Sequence, residues 1–137
     1  MAAIPLPSAT VILLRPCETD AFGQQFQIFM VRRSDGSSFM GGAHVFPGGK
    51  LDEADTAPEL LQHCSGLEAS AQAIPDLPRE LAAGYRVAAL RELYEEAGVL
   101  LARTASGTLV SFAGDNKDRF GAWRLALRQY NLPLATI

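Results

Sequence analysis

Residues 91–98 read RELYEEAG, and this stretch decides the fold of the chain. On an α-helix, at about 100° per residue, its three glutamates lie within one arc of about 100° and its apolar residues lie opposite. These glutamates are Glu92, Glu95 and Glu96. Carboxylates at i, i+3 and i+4 repel one another and destabilise the helix unless a cation lies among them. Such oxygen ligands suit Mg²⁺ or Mn²⁺. A solvated acidic helix face is the alternative.

The composition indicates one soluble globular domain. The chain has 137 residues, of which 48% are hydrophobic and 20% charged, and its net charge is −3. This charge gives no electrostatic reason to expect a nucleic-acid polymer or a membrane surface as a partner. Residues 1–10 lack the basic and apolar regions of a signal peptide. Cys17 and Cys64 have no metal-like spacing, which indicates reduced thiols in a cytoplasmic protein.

Two β-branched runs near the N-terminus predict strands. These are residues 9–15, ATVILLR, which Pro16 ends, and residues 26–33, FQIFMVRR. We expect them to pair as an antiparallel hairpin or to lie as near neighbours in one sheet. A glycine-rich loop over residues 35–42 follows. Residues 47–49, PGG, predict a tight turn in which glycine allows positive φ and close approach to the backbone.

The strongest predicted helix covers residues 79–97 and ends at Gly98. Residues 52–80 before it contain acidic residues and three prolines, which is typical of an inserted surface excursion. After the helix, the pattern predicts strand fragments over 99–102 and 108–112 and an amphipathic helix over 116–130.

Together, Phe46-Pro47-Gly48-Gly49 and RELYEEAG resemble the signature of the Nudix hydrolases. That signature is a glycine, five residues, Glu, seven residues, and then R-E-U-x-E-E-x-G-U, where U is aliphatic. The match is complete from Arg91 to Val99, whereas Asp55 stands in place of the first Glu. The 35 residues between Asp55 and Arg91 imply an insertion of 28 residues, at about 56–83. Such an insertion is tolerable because loop-closure entropy grows slowly with length.

Arg33-Ser34, Gly42 and Phe46-Pro47-Gly48-Gly49 resemble the extra motif of Nudix enzymes that cleave coenzyme A. That motif reads R-S-x₃-R-x₃-G-x₃-F-P-G-G. The spacing fits throughout, but Ser38 stands where that motif has its second Arg. The long insertion also resembles a coenzyme A branch of the family. The resemblance implies coenzyme A or acyl-coenzyme A as the small-molecule diphosphate substrate. It implies the substrate-binding residues Arg33, Ser34, Gly42, Phe46 and Gly49.

The same resemblance implies a metal-dependent hydrolysis of a diphosphate linkage. The metal, Mg²⁺ or Mn²⁺, would be held by the carbonyl of Gly48 and by Glu92, Glu95 and Glu96. Arg91 would orient a carboxylate and Asp55 would anchor that arrangement. The implied catalytic residues are therefore Glu92, Arg91 and Glu95, with Glu92 as the general base.

The family fold is an α/β/α sandwich with a mixed sheet, and only 39 residues follow Gly98. We therefore expect residues 1–137 to form the N-terminal portion of a single Nudix-like domain, incomplete at the C-terminus. An unfinished sheet favours association, so a homodimer is an expected state. The alternatives are a non-catalytic nucleotide-binding module, an inactive truncated fragment, and a bare structural α/β domain.

Overall fold

A computed structural model describes residues 4–18, 23, 25–38, 40–110 and 132–133. The strands within these ranges are β1 (Ser8–Thr10), β2 (Leu14–Pro16), β3 (Phe26–Ile28), β4 (Val31–Arg32), β5 (His44–Val45), β6 (Gly48–Lys50), β7 (Cys64–Ser65) and β8 (Leu132–Pro133). The helices are a 3₁₀-helix (Glu53–Thr56), α1 (Pro58–Leu61), α2 (Leu67–Ala73) and α3 (Arg79–Ala97). The helix predicted over 116–130 lies outside the described residues.

The first predicted strand pairs with two different partners. Its beginning, β1, is antiparallel to β6, and its end, β2, is antiparallel to β3. The predicted hairpin is confirmed, with Leu14 opposite Ile28. A third antiparallel pair joins β4 to β5. The chain from residue 8 to residue 50 therefore forms three linked antiparallel pairs.

Pro16 is the last residue of β2, so the strand ends at this proline, as predicted. Hydrogen bonds run from the Phe29 amide to the Leu13 carbonyl and from the Cys17 amide to the Gln25 carbonyl. In an antiparallel ladder the residues between these pairs direct their backbone groups away from the partner strand. Pro16 occupies such a position, so its missing N–H removes no ladder bond.

The tight turn predicted at residues 47–49 is wrong. Gly48 and Gly49 are part of β6, and neither has a positive φ. Glycine is required here for space instead. A Cβ at Gly48 would collide with the Ala9 carbonyl and lie 2.8 Å from the Thr10 Cα, because β1 runs directly alongside.

Helix α3 has the predicted bounds and ends at Gly98, whose φ of 71° is left-handed. One side of α3 packs on the first strand, where Val11, Ala89 and Leu93 form a buried cluster. Another side contributes to a second cluster, whose buried members are Leu61, Ala83, Val87, Leu90, Tyr94, Leu100 and Ala102. Burying each large apolar side chain contributes about 1.5–3 kcal/mol, so α3 is the centre of the core.

The segment over residues 52–80 is helical and packed, and is therefore more than a surface excursion. Leu61 and Ser70 are buried, and α2 packs against α3. Cys64 also packs on the core, where burial raises the pKa of its thiol to about 12. Neither Cys17 nor Cys64 forms a disulfide. The bounds of the insertion stay a prediction.

The chain after α3 turns back on itself. The predicted strand fragments over 99–102 and 108–110 do not form strands, and residues 111–112 lie outside the described residues. A single antiparallel bridge joins Arg103 to Leu109 across a turn that contains Gly107 at a φ of 84°. Further along, β8 lies parallel to β7. Across the described ranges, we find no helix with the length and apolar content needed to cross a bilayer.

Gly84 provides a test of the packing between α3 and the 3₁₀-helix. Alanine in a helix interior is normally about 0.5–1 kcal/mol more favourable than glycine. A Cβ at Gly84 would lie 2.5 Å from the Thr56 Cγ2. We therefore expect Gly84→Ala to lower the free energy of unfolding by about 1–3 kcal/mol in a urea titration.

Thr56→Ser is the matched second change, because it removes the methyl group and keeps the hydroxyl that donates to the Glu53 carbonyl at 3.0 Å. The double variant should recover the loss. Stabilisation by Gly84→Ala alone would contradict the close contact.

Candidate active site

The guanidinium of Arg91 connects three parts of the fold. Its Nε and Nη2 donate to the two carboxylate oxygens of Asp55 at 2.9 and 3.0 Å. Nη2 also donates to the Lys50 carbonyl at 2.9 Å, and Nη1 donates to Glu92 and Glu95 at 2.9 and 3.2 Å. One cation therefore joins β6, the 3₁₀-helix and the acidic face of α3. The hydrogen bond to Asp55 is the main cause that raises the pKa of Arg91, so the group stays charged.

Asp55 is buried, with 1% of its surface exposed. Its Oδ2 also accepts the Asp52 amide at 2.9 Å, while the Asp52 carboxylate accepts the Ala54 amide at 3.0 Å. This reciprocal capping box fixes the 3₁₀-helix at the edge of the site. Because the cap holds the backbone close to Arg91, an aspartate reaches the guanidinium from this position.

Glu92 rests directly on Gly49. A Cβ at Gly49 would collide with the Glu92 Cδ and lie 2.7 Å from its Oε2. The glycine that the resemblance places in the substrate site thus also leaves room for a carboxylate. The group that approaches the backbone of Gly49 is therefore a protein side chain, the Glu92 carboxylate of α3.

Glu96 contacts the edge of β6. The Gly48 amide donates to its Oε2 at 3.2 Å. The Val11 amide donates to the Pro47 carbonyl and the Leu51 amide donates to the Pro7 carbonyl, so Gly49 forms a hydrogen-bonded pair with Ala9. The backbone groups of Gly48 therefore point away from β1, and its amide faces α3. The Gly48 carbonyl therefore lies on the same edge of β6 as the amide that binds Glu96.

Glu95 and Glu96 have raised pKa values. Burial is the main cause for Glu95, where Glu92 raises the pKa further and Arg91 opposes the shift. Burial is also the main cause for Glu96, where the Gly48 amide and the charge of Arg33 oppose the shift. A carboxylate whose pKa is raised on folding is destabilising when charged, so this face of α3 favours a proton or a cation.

The donor chemistry of this face fits Mg²⁺ or Mn²⁺. It offers three carboxylates and one backbone carbonyl, all of them oxygen ligands. As the side chains stand, no group of three His, Cys, Asp or Glu residues is arranged to hold a metal ion in the described ranges. Arg91 holds Glu92 and Glu95, and Gly48 holds Glu96, so metal binding would require these carboxylates to turn.

The other predicted substrate-binding residues lie near β4 and β5. Arg33 follows β4 and lies close enough to Glu96 to affect its pKa. Ser34 accepts the Gly36 amide at 3.4 Å, and Phe46 is half-buried between β5 and β6. Gly42 has a φ of 77° and borders the side chain of Asp35.

Two contacts of this region were not predicted from the sequence. Arg32 donates to both oxygens of Asp35, at 3.3 and 2.6 Å, so its charge is engaged within the loop. The i, i+3 spacing of Arg32 and Asp35 is the signal in the sequence that could have indicated this ion pair. The second contact is the hydrogen bond from Arg91 to the Lys50 carbonyl. The sequence gives no indication of it, because every residue has a backbone carbonyl.

The chain is similar in sequence to proteins named as acyl-coenzyme A diphosphatases. Acyl-coenzyme A diphosphatase NUDT19 of Gallus gallus is 30% identical over 148 residues, which cover 85% of this chain and 36% of that protein. The protein of the same name from Homo sapiens is 35% identical over 103 residues, which cover 57% of this chain and 27% of that protein. The chain therefore spans about a third of the length of these relatives. No protein-family model matches it.

A solved structure has the same fold. The crystal structure of NUDIX hydrolase from Alicyclobacillus acidocaldarius matches with a TM-score of 0.65 and 24% identity, over 97% of this chain and 59% of that chain. The predicted α/β Nudix-like fold is thereby confirmed. The chain has the fold of a Nudix hydrolase and is similar in sequence to members of that family. Within that family it is similar to proteins named acyl-coenzyme A diphosphatase.

Asp55→Asn tests the ion pair that supports the site. The change removes the charge that compensates Arg91, whose side chain is only 11% exposed. We expect a loss of about 3–5 kcal/mol in the free energy of unfolding, measured by urea denaturation. Asp52→Asn is the matched control, because asparagine caps a helix about as well as aspartate. Equal effects of the two substitutions would contradict this role of Asp55.

The variants Gly49→Ala and Gly48→Ala should distinguish an effect on the site from an effect on the stability of the fold. At Gly49 the added Cβ displaces only the Glu92 carboxylate, so the melting temperature should change little. At Gly48 it collides with the backbone of β1, so the melting temperature should fall clearly. Calorimetry of both variants, with and without Mn²⁺, checks this expectation. Gly49→Ala should keep the wild-type melting temperature without metal and lose the increase expected on adding Mn²⁺, whereas Gly48→Ala should melt at a lower temperature under both conditions.

Proposed function

We propose that this chain carries the active site of a Mg²⁺-dependent hydrolase of a diphosphate linkage in a nucleoside-diphosphate-type substrate. The observation that carries the proposal is the arrangement around Arg91, which fixes one edge of an acidic helix face against β6. This face carries three carboxylates at the spacing of the family signature. It lies beside a backbone carbonyl at Gly48.

In this proposal Glu92, Glu95, Glu96 and the Gly48 carbonyl hold Mg²⁺ or Mn²⁺. The bound ion would neutralise the phosphate oxygens and lower the pKa of a bound water. The raised pKa values of Glu95 and Glu96 support a cation here, because a positive ion would offset the burial and the repulsion from Glu92 that oppose their negative charge.

Side chains of this protein are proposed to orient the carboxylates, accept a proton and contact the substrate. Arg91 orients Glu92 and Glu95 through the hydrogen bonds of Nη1, and Asp55 fixes Arg91. Glu92, held between Arg91 and the backbone of Gly49, is proposed to accept the proton of the attacking water. Arg33 provides positive charge beside Glu96, where it would contact a phosphate oxygen of the substrate.

We propose coenzyme A or an acyl-coenzyme A as the substrate. The motif around Arg33 and Ser34 and the names of the NUDT19 relatives support this class. Ser38 provides no charge where the motif has a second Arg, and Arg32 is engaged by Asp35. Arg33, at the position of the first Arg of the motif and beside Glu96, is the proposed phosphate contact. We further propose a cytoplasmic, single domain over residues 1–137 with an insertion at about 56–83.

Glu96→Gln tests metal binding and hydrolysis together. Glutamine keeps an acceptor for the Gly48 amide and removes one of the mutually repelling charges. The sign follows from the raised pKa of Glu96, since its charged form opposes folding above that pKa. Without metal at neutral pH the melting temperature should rise by a few degrees. The stabilisation that Mn²⁺ gives the wild type should be lost.

Hydrolysis of coenzyme A with Mg²⁺ should fall by about 10²–10³-fold in the same variant, since a metal supplies several kcal/mol of charge stabilisation. Glu80→Gln, an exposed site on the first turn of α3, is the matched control. Wild-type activity that persists fully in chelator would refute the proposal. Nucleotide binding with no turnover across a panel of diphosphates would select the non-catalytic module.

A further inference from the structure

Gly84 lies in the interior of α3, where glycine destabilises a helix relative to alanine. Its φ is not positive, so this position does not need glycine for its backbone conformation. A Cβ at Gly84 would lie 2.5 Å from the Thr56 Cγ2 and 3.5 Å from the Asp55 carbonyl oxygen. The backbone of α3 therefore contacts the 3₁₀-helix directly at this glycine.

The Thr56 methyl group cannot rotate away from this contact without losing a hydrogen bond. The Thr56 hydroxyl donates to the Glu53 carbonyl at 3.0 Å, which fixes the rotamer of the side chain. Carbon atoms in ordinary contact are about 3.5–4.0 Å apart, so a Cβ at Gly84 would push the 3₁₀-helix away from α3 by about 1–1.5 Å.

Arg91 lies seven residues after Gly84 and therefore on the same side of α3. Side chains of a helix point back towards its N-terminus, so the guanidinium extends along this side towards the 3₁₀-helix. There it donates to both carboxylate oxygens of Asp55, at 2.9 and 3.0 Å. The separation of the two backbones at Gly84 thus sets how far the Asp55 side chain must reach.

We propose that Gly84 is a positioning residue, which brings the 3₁₀-helix against α3 so that the short side chain of Asp55 reaches Arg91. The family signature that this chain resembles has Glu where Asp55 stands. Glutamate is longer than aspartate by one carbon–carbon bond of about 1.5 Å, which is similar to the displacement that a Cβ at residue 84 would cause. Glycine at position 84 and aspartate at position 55 therefore fit each other.

The same contact lies where the two ends of the predicted insertion meet. Thr56 is the first residue of the insertion predicted at about 56–83, and Gly84 follows its last residue. Seven residues, 84–90, then precede Arg91, the number that the family signature has between its Glu and its Arg. The contact at Gly84 therefore gives Asp55 the place beside α3 that an uninterrupted signature would give its Glu.

The consequence for the site rests on the proposed function, because Arg91 orients Glu92 and Glu95, two of the proposed metal ligands. A longer distance between Asp55 and Arg91 would leave the guanidinium less firmly held and would weaken metal binding. The fit between residues 84 and 55 is independent of that function, since it is measured without metal.

A double-mutant cycle of Gly84→Ala and Asp55→Glu tests this fit through the melting temperature without metal. In the wild type, Asp55→Glu should lower the melting temperature, because residue 55 is only 1% exposed and has no room for a longer side chain. In Gly84→Ala the same change should raise it by a few degrees, because glutamate spans the added distance to Arg91. A glycine needed only for helix packing would leave Asp55→Glu harmful in both backgrounds.

Two control backgrounds separate this fit from crowding in general. Ala89→Val adds bulk to the side of α3 that packs on Val11, within the other buried cluster. Thr56→Ser in the Gly84→Ala variant removes the methyl group that the new Cβ would meet. Asp55→Glu should lower the melting temperature in both backgrounds, as in the wild type, and a rise in either would contradict the proposal.

The Nε–H resonance of Arg91 in ¹H–¹⁵N spectra, assigned by its absence from Arg91→Lys, reports on the ion pair itself. Its slow exchange with solvent should be lost in Gly84→Ala and restored when Asp55→Glu is added. The Mn²⁺ dissociation constant, measured by isothermal titration calorimetry, should rise about tenfold in Gly84→Ala and return close to the wild-type value in the double variant.

A double variant that fails to fold, or that melts below Gly84→Ala, would overturn the role of Gly84. Recovery of the melting temperature without recovery of the slow Nε–H exchange would also overturn it, since Arg91 would then not be held by residue 55. A wild type that binds no Mn²⁺ would refute the proposed metal site instead. The metal-free melting temperatures and the Arg91 resonance would still decide the role of Gly84.

Discussion

The ion pair between Arg91 and Asp55 is the constraint on which the rest of the structure depends. The acidic face of α3 is unfavourable alone, since its carboxylates repel one another and Glu95 and Glu96 have raised pKa values. A single guanidinium, only 11% exposed, offsets part of this repulsion and also binds a backbone carbonyl of β6. Without it, the helix, the strand and the 3₁₀-helix would have no common anchor, and breaking such a buried pair typically costs several kcal/mol.

The sequence predicted α3 well because every local signal agreed. Its apolar side, its acidic side and the stop at Gly98 all match the observed bounds. The pairing of the first two strands was also predictable from their β-branched residues. The division of the first strand between two partners was not, because the change of partner at residues 11–13 depends on tertiary packing and leaves no mark on residue type.

The glycines show the limit of local reasoning about the site. A proline followed by two glycines usually indicates a turn, yet Gly48 and Gly49 are extended and serve to avoid collisions with β1 and with Glu92. Nothing in the sequence distinguishes a glycine needed for its φ from one needed for its small size. The residues of the acidic face were identified from spacing and resemblance. Their hydrogen bonds to Gly48 and Lys50 required the fold, because the partners are backbone atoms.

The position of Asp55 and Arg91 has a consequence for how such a domain can change over time. The two residues are 36 positions apart in the chain but are in direct contact, with the α1–α2 segment between them. Their ion pair holds the two ends of that segment together. Residues can be gained or lost in the exposed loops of that segment without altering this contact, so this part of the domain can vary in length while the arrangement around Arg91 is kept.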